Sequence, residues 1–173
     1  MELAASGKTE VVGICGGFQI LGEGIADPHG VESDRRRVRG LGILPVTTTL
    51  EEEKTLACVR GRHVESGLTV KGYEIHHGRT VGPGLLPAVE REDGEVLGAR
   101  AAAGLAWGTY LHGIFDADDF RRWFVDRLRV RRGLAPVGIA LSRYDLEPAF
   151  ERLAAVVRRS LRIGEIYRLM GLR

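Results

Sequence analysis

The sequence has 173 residues, 44% hydrophobic and 28% charged, and its 25 basic against 23 acidic residues leave a net charge of only +2. Those values fit one globular domain with a real core and argue against disorder as a class. The arginine runs at 35–37, 121–122, 131–132 and 158–159 are interleaved with carboxylates and few aromatics, so they read as solvated faces rather than a nucleic-acid groove.

Residues 2–7 read as the last turns of a helix closed by Gly7. Val11 to Ile14 is a continuous apolar run, expected to be a buried strand. Phe18 to Gly22 continues as a short helix, with Gly24 as a stop. Pro28 to Arg39 reads as loop, and Leu41 to Thr47 as a strand. Residues 54–60, 67–75, 86–91 and 95–100 alternate in the β manner between Gly and Pro breaks, which predicts antiparallel strands. Trp107 to Leu111 is a further β-prone segment. Asp116 or Asp118 can cap the next helix, where Phe120, Trp123, Phe124 and Leu128 keep helical spacing until Gly133 and Pro136. Leu146 to Leu169 predicts an amphipathic helix or helix pair broken near Gly164. The whole is an α/β pattern: an open sheet with flanking helices and a β-rich middle.

No apolar run reaches membrane length and no signal pattern opens the chain, so no membrane partner is expected. Cys15 and Cys58 make no disulfide framework, and no metal-type Cys/His spacing occurs, so no metal site is expected. The expected setting is reduced and cytoplasmic.

The stretch VVGICGGFQILGEG, residues 11–24, runs a strand into a cysteine and then a helix. That is the pattern of a nucleophile elbow, in which Gly16 and Gly17 allow a tight bend and a close approach to substrate. A helix N-terminus after the thiol would lower its pKa and offer N–H groups to an oxyanion. The local pattern equally allows a buried, inert thiol beside a turn. A cysteine nucleophile needs a base, and His29, His63, His76, His77 and His112 are available. His112, in GTYLHGIFD, stands at the end of a buried strand, where the strand ends of an open α/β sheet converge. Taken singly, His76 and His77 in GYEIHHGRT read as solvated histidines at a strand–loop junction, and Cys58 reads as core.

Together GICGGFQILG, GYEIHHGRT and GTYLHGIFD, in that order and with DPHGVES, GLGILPV and IYRLMGL, closely resemble the C-terminal glutaminase domain of cobyric acid synthase. That family is the cobalamin-pathway branch of the class I (triad-type) glutamine amidotransferases, and the resemblance covers essentially the whole chain. It implies a flavodoxin-like open sheet forming a single domain over residues 1–173. Cys15 would be the nucleophile toward glutamine and His112 the general base. Gly16, with Gly17, would contribute to the oxyanion and glutamine site, and Gln19 would lie beside it. The broader family carries Glu two residues after the histidine, where this chain has Ile114, so a Cys–His dyad is implied. Glu74, His76, Arg79 and Asp116 are candidates for supporting or orienting roles.

The resemblance also implies a synthetase domain as partner, which uses ATP and Mg²⁺ to amidate adenosylcobyrinic a,c-diamide. This chain carries no phosphate-cradling glycine loop, so no cofactor is expected within it. The first strand of the amidotransferase domain, with a glycine loop completing the oxyanion hole, is expected upstream of residue 2, making Met1 the start of a fragment. Losing half of such a hole costs about 10²–10³-fold in rate. A missing strand would leave an open sheet edge, which predicts a homo-oligomer. Two other readings stay open: an inactive remnant serving as a binding or assembly module, and a glutaminase for another acid acceptor such as a peptidoglycan precursor.

Overall fold

The computed structural model describes residues 9–102 and 105–172, and the helix expected over residues 2–7 lies outside them. The described chain forms two compact units, one ending at Ala140 and the other beginning at Leu141. In the first unit, β1 (Val11–Ile14) runs into the short helix α1 (Gly16–Leu21), then β2 (Gly24–Ala26) and β3 (Arg37–Arg39). A long hairpin follows, β4 (Thr47–His63) and β5 (Thr69–Val81), then β6 (Leu86–Arg91), β7 (Val96–Arg100) and β8 (Ala106–Thr109). A 3-10 turn, Ile114–Asp116, leads into α2 (Asp118–Arg131). The second unit holds two helices, α3 (Glu147–Ser160) and α4 (Ile163–Leu169).

One mixed eight-stranded sheet runs in the order β1-β8-β7-β6-β4-β2-β3, with β5 paired to β4. Only β1–β8 and β2–β4 are parallel. The four predicted β segments between 54 and 100 are all strands, and helices flank the sheet as an α/β reading requires. Apolar residues from β4 to β8 pack with Leu111, Ile114 and Phe120 into one core cluster. Phe18, Leu21, Leu44, Val46 and Tyr110 form a second around α1.

Several local expectations are corrected. The segment from Leu41 to Val46 is not a strand: the N–H groups of Leu41, Ile43 and Leu44 donate to Ile20 and Leu21 carbonyls, covering the open end of α1. The strand begins only at Thr47. Gly24 is not a stop but the first residue of β2, paired with Arg39 and Thr47, and the loop from Pro28 ends in β3. Ala117, not Asp116 or Asp118, holds the N-cap position of α2, with Asp118 and Asp119 in the first turn, where the helix dipole favours them. The last two helices separate at Leu161–Arg162, and Gly164 sits inside α4. Cys58 is exposed rather than core: burial alternates along this part of β4, and Cys58 takes the solvent side while its neighbour Val59 packs into the core. No helix among the described residues is long and apolar enough to cross a membrane.

Candidate functional site

The chain turns sharply where β1 ends. Cys15 has φ 51° and ψ −113°, and it is the one non-glycine residue with positive φ among the described residues. Such a conformation costs on the order of 1–3 kcal/mol and persists only where the surroundings enforce it. Here the Cys15 N–H donates to the Thr109 carbonyl across the parallel β1–β8 pair at 2.9 Å. Its own carbonyl accepts from Gln19 N–H at 3.1 Å, opening α1. The glycine that this bend demands is Gly13, where a Cβ would stand 2.5 Å from the Gly17 carbonyl oxygen. A Cβ at Gly16 or Gly17 would meet nothing within 4 Å, so the two glycines predicted to permit the bend instead leave open space beside the thiol.

The half-buried Cys15 Sγ lies 3.8 Å from the Ile75 carbonyl of β5, to which it donates. Burial pushes this thiol above its ordinary value of 9.0. The Gly16 N–H pulls it partly back, Glu32 pushes it up and Lys54 pulls it down. The expected lowering by the helix N-terminus is therefore outweighed: α1 has six residues, and desolvation of the thiolate dominates.

His112 follows β8 by three residues, and Tyr73 of β5 clamps its backbone on both sides. His112 N–H donates to Tyr73 O at 2.8 Å, and Tyr73 N–H donates to His112 O at 3.1 Å. The two rings stack with centroids 5.0 Å apart and 6° between planes. Gly72 is required here, since a Cβ would fall 1.8 Å from the His112 carbonyl oxygen. His112 Nε2 is buried and has no hydrogen-bond partner among the described residues. Thus β5 touches both candidates within three residues, His112 through Tyr73 and the Cys15 thiol through Ile75.

The other predicted residues separate. Among the described residues, neither Glu74 nor Asp116 hydrogen-bonds His112. Glu74 Oε2 instead accepts from His76 Nε2 at 2.9 Å, while Asp116 closes its 3-10 turn by donating its N–H to Gly113 O. His76 is not solvated as read from sequence: its side chain is 9% exposed and stacks on Tyr110, centroids 3.8 Å apart. Arg79 is exposed, 3.9 Å from Glu51. His77 donates from Nδ1 to the Glu51 carbonyl at 2.9 Å. His63 is a buried core histidine among Trp107, Phe120 and Trp123, and burial lowers its pKa to about 4.

Gln19 is buried, and its Nε2 donates to Tyr110 Oη at 3.5 Å. From there hydroxyls continue through Thr80 at 2.6 Å to Thr48 at 2.7 Å. Gly78 makes room for this network: a Cβ there would meet Gln19 Nε2 at 2.4 Å and Tyr110 Oη at 2.5 Å. Sequence reading missed Tyr110, Thr80 and Gly78 as site residues. Their signal was their place inside GTYLHG and HHGRT, the motifs that carry the histidines. A pocket of about 330 Å³ is bounded by Phe18, Glu74, His76, Gly78, Thr80 and Tyr110 among others, and Cys15 is not among its lining residues. No three His, Cys, Asp or Glu side chains among the described residues gather as metal ligands.

Residues 1–120 match the model of the CobB/CobQ-like glutamine amidotransferase domain. The adenosylcobalamin biosynthesis bifunctional protein CobDQ of Leptospira interrogans is 44% identical over 171 residues, covering 98% of this chain and 20% of that protein. The cobyric acid synthases of Nitratidesulfovibrio vulgaris and Geobacillus kaustophilus are 44% and 43% identical over 94% and 98% of this chain. The chain spans only 36% and 34% of those two proteins. A strained cysteine at a strand–helix junction, with a half-buried histidine just past the end of the neighbouring parallel strand, is thus found in a sequence matched over most of its length. The chain belongs to the CobB/CobQ-like glutamine amidotransferase family.

Proposed function

We propose that this chain is the glutaminase part of a cobyric acid synthase, releasing ammonia from glutamine for cobalamin biosynthesis. The observation that carries the reading is Cys15, held at φ 51° between β1 and α1, with His112 at the end of the paired strand. Cys15 Sγ attacks the side-chain amide carbon of glutamine. Because burial holds the thiol in its neutral form, attack needs a base, and His112 takes the proton and returns it to the departing ammonia. The acyl group stays on sulfur as a thioester. Water, deprotonated by His112, then releases glutamate and the free thiol. The Gly16 N–H, at the start of α1, supplies one oxyanion donor, and Gln19 with Gly17 borders the glutamine.

The stacked Tyr73 ring and the double backbone clamp orient His112, so the dyad works without a carboxylate. Ammonia passes to an ATP- and Mg²⁺-dependent synthetase domain that amidates adenosylcobyrinic a,c-diamide in the cytoplasm. Among the described residues β1 pairs on its β8 side only, and copies of the chain associate through that edge. The test is glutamate formation from glutamine: the chain is expected to catalyse it, and Cys15→Ala and His112→Ala each to abolish it. Turnover surviving Cys15→Ala would refute the reading.

A further inference from the structure

The β4–β5 ladder breaks beside the thiol. Thr55 pairs with His76 and Leu50 with Gly78, so four residues of β4 bulge opposite His77 alone. Side chains replace the missing ladder bonds on this stretch of β5. His76 Nδ1 faces the Gly78 carbonyl at 2.9 Å and Nε2 faces Glu74 Oε2 at 2.9 Å. A carbonyl can only accept, so Nδ1 donates. Arg91 Nη1 stands 3.8 Å from the other oxygen of Glu74, and the Glu74 carboxylate, facing that cation, also accepts. The ring therefore donates from both nitrogens, and its face covers Tyr110 at 16° between planes. Around it, Glu51 and Glu53 of β4 and Glu95 before β7 border the same pocket.

We propose that His76 is a positioning residue for the thiol site. Doubly protonated and locked by Glu74 and Gly78, it holds the bulged stretch of β5 so that the Ile75 carbonyl meets Cys15 and Tyr110 meets Gln19. The consequence for turnover rests on the glutaminase reading, whereas the state of the ring and its effect on the thiol do not.

Long-range ¹H–¹⁵N spectra of the wild-type protein at neutral pH test the first half. Both His76 ring nitrogens should carry protons, and a ring with one bare nitrogen overturns the proposal. The second half is read by iodoacetamide labelling of Cys15 against Cys58 in the same sample. His76→Ala and Glu74→Ala should each release Cys15 from Ile75 and raise its rate about fivefold, one lost hydrogen bond's worth. The double variant should be no faster than either single one, because the pair acts as a unit. Unchanged rates, or additive ones, overturn the proposal. In turnover, His76→Ala should raise KM for glutamine more than it lowers kcat. A wild-type chain with no glutaminase activity would defeat the glutaminase reading while the spectra and labelling still decide this one.

Discussion

Cys15 and Cys58 both face β5, one through its side chain and the other through its backbone. Cys15 Sγ donates to Ile75 O, and Cys58 pairs in the ladder with Tyr73, two residues away. Their surroundings differ. Cys15 sits on a strained turn between two elements, half-buried, with a histidine on the adjoining strand end. Cys58 sits in regular β structure on the exposed stretch of β4. Exposure alone would make Cys58 the reactive thiol. On the proposed mechanism the backbone makes Cys15 the useful one, because a strand–helix junction gives one sulfur both open space and helix N–H groups.

The largest effect that could break this comparison is on turnover. Cys15→Ala should lower glutamine hydrolysis by about 10³-fold or more, His112→Ala comparably, and Cys58→Ala by less than about twofold, all read as glutamate formed. Comparable losses at the two cysteines would erase the distinction.

Next in size is a pH effect on stability at the far end of β4. His63 is buried with its pKa lowered from 6.5 to about 4. A neutral folded ring and a titrating unfolded one mean that stability is full above pH 6.5 and lost as pH falls toward 4. The loss amounts to about 3 kcal/mol, measured by denaturant unfolding at each pH. His63→Gln should flatten that slope, leaving activity differences at low pH to the thiol site.

A packing test follows. Gly78→Ala drives a Cβ into Gln19 and Tyr110 and should cost about 1–3 kcal/mol in unfolding experiments while raising KM for glutamine. Gly84, in the turn between β5 and β6 with open space around it and φ 64°, should cost only about 1 kcal/mol on substitution by Ala and leave KM unchanged. Smaller still is the reach of pH on the thiols. Because burial favours the neutral form of Cys15, its labelling by iodoacetamide should keep climbing above about pH 10, where an unburied thiol has levelled off. A plateau by pH 7 would mean that the helix N–H groups win over burial.

Much of this was legible in the sequence. The apolar run before Cys15, the short helix after it and the four β segments from 54 to 100 carry strong local signals, and the structure has each. Among the described residues, however, β1 is a half-buried strand at the end of the sheet rather than a buried one. The motif order also pointed to the family. What the sequence could not show was set by tertiary contact. Leu41 to Val46 alternates like a strand, yet its N–H groups are drawn to the end of α1. Cys58 looks like core because nothing local reveals which side of β4 is packed, and Val59 takes that side. Glu74 and Asp116 are the candidates for orienting His112 in the sequence reading, but β5 turns Glu74 toward His76 and the 3-10 turn holds Asp116 against Gly113. The network from Gln19 through Tyr110 to Thr80 and Thr48 joins α1, the residue after β8, β5 and β4, segments far apart in the chain.

The most direct test of the central claim is labelling with a glutamine-shaped electrophile, such as 6-diazo-5-oxo-norleucine, followed by peptide mapping in a mass spectrometer. The account predicts one adduct, on Cys15, prevented by excess glutamine and absent from His112→Ala. An adduct on the exposed Cys58, or labelling of Cys15 that glutamine does not prevent, would contradict it.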